Sequence, residues 1–138
     1  MAIEGISHIT LIVENLERTA ILLTSLLGAK EVYSSGEKTF SLSKEKFFML
    51  AGVWIAIMEG RPSKERSYNH IAFKISESEL EVYKRRLEAA GVEFREERPR
   101  VQGEGLSLYF YDYDNHLFEL HTGTLEERLR TYGKAANP

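Results

Sequence analysis

The sequence predicts an α+β fold in which two βαβββ modules combine around one curved mixed sheet. Three observations carry this reading. The run Ser7-His8-Ile9-Thr10-Leu11-Ile12-Val13 is echoed by Asn69-His70-Ile71-Ala72-Phe73-Lys74-Ile75, two β-favouring segments with a histidine near the start of each. Each run leads into a segment whose apolar residues recur at helical spacing. Both helical segments stop at a glycine, Gly28 and Gly91, the residue type that closes a helix most readily in the left-handed conformation. One module alone leaves an apolar sheet face uncovered, so the two share it.

The first module spans about residues 4–60. After its opening strand, Asn15 caps a helix whose buried stripe is Leu16, Ala20, Leu23 and Leu27. Strands are then expected over Lys30–Ser34, Thr39–Leu42, Phe47–Leu50 and Val53–Met58. The second module spans about residues 66–123. Ser76 and Glu79 fit a capping box, followed by a helix with Leu80, Tyr83, Leu87 and Ala90 inward. Its later strands are Val92–Arg95, Ser107–Tyr111 and Leu117–His121, with turns at Ser35-Gly36-Glu37 and Asp112-Tyr113-Asp114-Asn115. A C-terminal helix over about 124–132 begins at a second capping box, Thr124 and Glu127. All of this fits one domain of 138 residues.

Composition narrows the function. A hydrophobic content of 43% supplies a core. The 18 basic and 21 acidic residues give a formal charge of −3, which argues against a nucleic-acid binder or a basic membrane-surface protein. The apolar stretches Ile9–Val13 and Ala20–Leu27 are too short to span a bilayer, and the N-terminus lacks the pattern of a secretory signal, so a cytoplasmic location is expected. There is no cysteine, which excludes disulfides, thiolate metal sites and a cysteine nucleophile.

A transition-metal site in this chain must therefore use His, Asp or Glu. His8 and His70 occupy matching places in the two repeats. Aligning the segments Trp54–Gly60 and Leu117–Gly123 sets Glu119 opposite Ala56. Glu119 stands between Phe118 and Leu120, and a carboxylate aimed at a sheet interior needs a cation or strong donors. His8, His70 and Glu119 thus form a candidate set of two histidines and one carboxylate, which leaves metal positions open for chemistry. His121 shares the Glu119 face by strand alternation and is the rival ligand, with a hydrogen-bonding role as the other reading. His116, in a turn, reads as structural or exposed.

Two further stretches bear on chemistry. Arg98 and Arg100 precede a glycine-containing loop through Gly105 that suits an anion, or is a solvated loop with surface arginines. Tyr68, Tyr109 and Tyr111 add hydroxyls or serve as strand packing, and Arg128 either points inward or pairs with a nearby acid. Glu45, between Lys44 and Lys46, is a surface charge or a general base for water beside a metal-bound electrophile.

At these residues the chain, from Ile6 to about Tyr132, resembles the fosfomycin resistance proteins of the vicinal oxygen chelate superfamily, and among them the epoxide hydrolase type. The likeness rests on the segments 7–13, 33–36, 38–48, 68–73, 97–105, 109–112, 115–121 and 123–129. It implies the vicinal oxygen chelate fold and a homodimer with modules paired between chains, each metal site taking His8 from one chain and His70 with Glu119 from the other. It also implies Mn(II) as cofactor, fosfomycin and water as reactants, and Glu45 as the base that activates water. Thr10, Trp54, Tyr68, Ser107, Tyr109 and Arg128 are then expected around the substrate, with Arg128 facing the phosphonate. The alternatives are thiol transfer to the same epoxide and non-catalytic drug binding.

Overall fold

The computed structural model describes residues 2–136. The chain divides between Arg66 and Ser67 into two compact units, with Tyr113–Asn115 belonging to the first. No helix among the described residues is long and apolar enough to cross a membrane.

The first unit runs β1 (His8–Val13), α1 (Leu16–Ile21), β2 (Lys30–Ser34), β3 (Glu45–Leu50) and β4 (Val53–Glu59), in the sheet order β1-β4-β3-β2. β1 and β4 are parallel, and the other pairs are antiparallel. The alternating residues Leu11, Val13, Ile55, Ile57 and Phe48 bury one sheet face, and Ala20, Leu22 and Leu23 of the helical segment add to the core. Asn15 caps α1 as expected, its side chain accepting the Arg18 amide proton at 3.0 Å.

The second unit repeats the order with β5 (His70–Lys74), α2 (Glu77–Ala89), β6 (Phe94–Arg95), β7 (Ser107–Tyr111) and β8 (Leu117–His121), followed by α3 (Leu125–Ala136). Its sheet order, β5-β8-β7-β6, matches the first, again with a parallel first pair. The Phe73, Phe118 and Phe110 rings stack on the face opposite the polar residues described below, and Leu87 of α2 is fully buried.

Five expectations are corrected. Thr39–Leu42 is not a strand: β2 and β3 already pair from Ser34 opposite Lys46, so residues 35–44 form their connection and Phe40 and Leu42 are exposed. The first helix is α-helical only to Ile21 and continues as a π-helical turn over Leu22–Leu26. The Thr24 hydroxyl donates to the Ala20 carbonyl at 2.8 Å, and such back-bonding competes with the regular ladder and widens the turn. β6 starts at Phe94 rather than Val92, because the Val92 amide donates back to the Leu87 carbonyl to close α2. At the start of α2 the Ser76 side chain makes no capping bond; only its carbonyl is used, by the Glu79 amide. α3 continues past 132 to Ala136. The glycine closures at Gly28 and Gly91 are present, with φ of 80° and 74°.

Candidate metal centre

In the second unit, strand alternation decides which side chains meet. Register sets Ala72 and Tyr109 on either side of Glu119, and Ser107 beside His121. His70, Glu119, His121, Ser107 and Tyr109 therefore share one face of the sheet. His70 Nδ1 lies 2.7 Å from the Tyr68 carbonyl oxygen, which only accepts, so Nδ1 carries the proton. The ring's Nε2 faces Glu119 Oε1, 3.0 Å away. A ring nitrogen and a carboxylate oxygen at that distance share a positive centre, either a proton on Nε2 or a metal ion. A metal fits: two ligand arms of about 2.1 Å at a right angle span about 3 Å.

Glu119 is only 4% exposed. Burial alone would raise its pKa, but the Ser107 hydroxyl and the electrostatic influence of His121, Arg100 and His70 outweigh it and hold the carboxyl below its ordinary range. Ser107 Oγ is 2.5 Å from Glu119 Oε2 and 2.7 Å from His121 Nδ1. Arg128, on α3, places a guanidinium nitrogen 3.1 Å from His121 Nε2. Burial, reinforced by Arg128 and Arg100 against the opposing carboxylates, lowers the His121 pKa and keeps the ring neutral.

The arginine loop differs from an open anion cradle. Arg98 and Arg100 both converge on Glu104, a fully buried carboxylate that the sequence reading did not single out as their partner. Glu104 also accepts from the Val101 amide at 2.8 Å and the Tyr132 hydroxyl at 2.9 Å. Burial raises its pKa, yet Arg98, Val101 and Tyr132 overcome this and bring it to about 2. Arg100 reaches onward to the Tyr109 hydroxyl at 2.9 Å and Glu119 Oε2 at 3.4 Å. Tyr109 also meets the Tyr68 hydroxyl at 2.9 Å. Burial, the Tyr68 hydrogen bond and the Glu119 charge push the Tyr109 phenol up to about 12, so it remains protonated. The spacing of two arginines four and six residues before an acid was the available signal for this cluster. Tyr111 accepts from Arg95 at 3.2 Å, and His116 Nδ1 is 2.7 Å from Asp112, a turn-stabilising contact.

In the first unit the corresponding face carries His8 and Thr10 from β1, Trp54 from β4 and Glu45 from β3. The register His8–Trp54, Thr10–Ala56 and Glu45–Met58 fixes this. His8 and Trp54 rings lie 4.3 Å apart. Ala56 is paired with Thr10 as Glu119 is with Ala72, so the alignment that opposed Glu119 to Ala56 holds in the register. Among the described residues no three His, Asp or Glu of a single chain form a metal-binding group. His70 and Glu119 come together; His8 belongs to the other unit.

Residues 5–120 match the family model of the Glyoxalase/Bleomycin resistance protein/Dioxygenase superfamily. The chain is 61% identical over 130 residues to the fosfomycin resistance protein FosX of Listeria monocytogenes, covering 94% of this chain and 98% of that protein. It is 54% identical over 132 residues to FosX of Mesorhizobium japonicum, covering 96% and 95%. A crystal structure of a mutant of the Listeria monocytogenes protein, complexed with Mn(II) and 1S,2S-dihydroxypropylphosphonic acid, superposes with a TM-score of 0.88 at 63% identity, covering 94% of this chain and 99% of that one.

Proposed function

Because the chain belongs to the Glyoxalase/Bleomycin resistance protein/Dioxygenase superfamily, and within it to the FosX fosfomycin resistance proteins, we propose that it adds water to the epoxide of fosfomycin with Mn(II) as cofactor. The phosphonic acid bound by the Listeria relative is a diol, the composition of the epoxide plus one water. The observation that carries the hydrolytic reading here is the place of Glu45, at the start of β3 and on the sheet face that holds His8, Thr10 and Trp54.

We assign the metal to His70 and Glu119 of one chain and His8 of the partner subunit in a homodimer. The approach of His70 Nε2 to Glu119 Oε1 on one sheet face supports this. Bound there, Mn(II) supplies Lewis-acid polarisation of the epoxide oxygen and a template for the phosphonate. Arg128 contributes charge toward the phosphonate, and the hydroxyls of Tyr109 and Tyr68, which meet each other at 2.9 Å, contribute hydrogen-bonding groups. Thr10 and Trp54 line the substrate from the other sheet face. Arg98 is engaged by Glu104 and so supports the loop rather than the drug, while Arg100 links that loop to Tyr109 and Glu119. Glu45 takes a proton from water as its oxygen bonds to the carbon next to phosphorus. The carbon–oxygen bond of the epoxide breaks, and the released alkoxide takes up a proton to complete the diol.

Phosphorus NMR of fosfomycin with the Mn(II)-loaded protein and no thiol tests this. The diol is the expected product. Product only after thiol addition would move the chain to thiol transfer, and bound but unaltered drug would make it a binder.

A further inference from the structure

The hydrogen bonds that end at Glu119 admit one ordering of protons. Arg128 has donors and no acceptor, so its contact at 3.1 Å requires His121 Nε2 to be the lone-pair nitrogen. The neutral ring must then carry its proton on Nδ1. That proton is directed at Ser107 Oγ, 2.7 Å away, so the serine accepts there. Its own single proton is left for Glu119 Oε2 at 2.5 Å. The chain runs Arg128 to His121 to Ser107 to Glu119, every member in one role. Arg100 meets the same carboxylate oxygen from another side at 3.4 Å, while Oε1 alone faces His70.

We propose that His121 and Ser107 are positioning residues: they reserve Glu119 Oε2 for hydrogen bonding and leave Oε1 as the single metal-facing oxygen. This rests on the metal site proposed above. Its consequence is coordination number. A carboxylate that bound through both oxygens would take up a position that the substrate oxygens would otherwise use, and the ordered chain would prevent it. With its proton given to Glu119 and its lone pair engaged by His121, Ser107 serves the metal carboxylate rather than the phosphonate. Arg128 gives one of its five N–H groups to His121 and keeps others for an anion.

Imidazole nitrogen NMR of the metal-free protein reads the tautomer directly, and His121 is expected as the Nδ1–H form. Titration of Mn(II), following the free ion by electron paramagnetic resonance, reads the consequence. Ser107→Ala is expected to weaken Mn(II) binding about 10–100-fold, the usual cost of losing a partner of a metal ligand, and Ser107→Thr to restore most of it. An Nε2–H tautomer, or wild-type Mn(II) affinity in folded Ser107→Ala, would overturn the proposal while leaving the metal site standing. Failure of the unaltered protein to bind Mn(II) would instead overturn the metal site, and the positioning role with it.

Discussion

Glu45 and Glu104 are acids with opposite fates. Glu45 sits at a strand start, half-buried, on the face that carries His8. Replacing its carboxylate with an amide removes the base but none of the proposed metal ligands. Glu45→Gln is expected to lower hydration about 10²–10⁴-fold with Mn(II) titration unchanged. Equal turnover in the variant would exclude Glu45 as the base. Glu104 is fully buried among Arg98, Arg100 and Tyr132, with its pKa brought from 4.5 to about 2. A depressed carboxylate stabilises the fold above its unfolded pKa and loses that contribution as pH falls through the folded value. Thermal melts should therefore show wild-type stability declining between about pH 5 and pH 2. Glu104→Gln should cost about 3–5 kcal/mol at neutral pH, by leaving Arg98 without its anion and Arg100 with Glu119 alone, and flatten the curve in that window. Parallel curves for the two proteins would show that another group governs the acid limb.

At the level of elements, α3 matters because it carries Arg128 and Tyr132 to opposite ends of one hydrogen-bonded cluster, His121 at one and Glu104 at the other. Its start is held by a complete capping box. The Thr124 hydroxyl accepts the Glu127 amide proton at 3.2 Å, and Glu127 Oε1 accepts from the Thr124 amide at 3.1 Å and from its hydroxyl at 2.9 Å. Thr124→Ala should cost about 1 kcal/mol of stability. Because the helix start then frays next to Arg128, KM for fosfomycin should rise more than kcat falls; a change in stability alone would show that the cap serves only the fold. The same box motif at Ser76 and Glu79 is not formed, although the helix begins where it was expected. Motif spacing places a helix start better than it fixes a side-chain rotamer.

For the whole molecule, the proposed division of ligands between chains has an arithmetic consequence. His8→Ala and His70→Ala proteins should each be inactive. A heterodimer of the two retains one site in which both histidines and Glu119 are intact. Random mixing of equal amounts makes half the dimers mixed, each with one of two sites working, so activity should return to about a quarter of wild type. No recovery after demonstrated subunit exchange would place all three ligands in one chain.

The sequence by itself determined the repeat, the βαβββ order, most strand positions and the equivalence of Glu119 with Ala56, because strand alternation and helix closure are local properties read from neighbouring residues. It also singled out His70 and Glu119, since a lone acid in an apolar strand is costly wherever that strand lies. Only the tertiary structure decided the partners. It joined Arg98 and Arg100 to Glu104, ordered Arg128, His121 and Ser107 toward one oxygen of Glu119, and left Thr39–Leu42 without a strand to pair with. Those outcomes depend on which elements register against one another, and that information is held between distant segments rather than within any one of them.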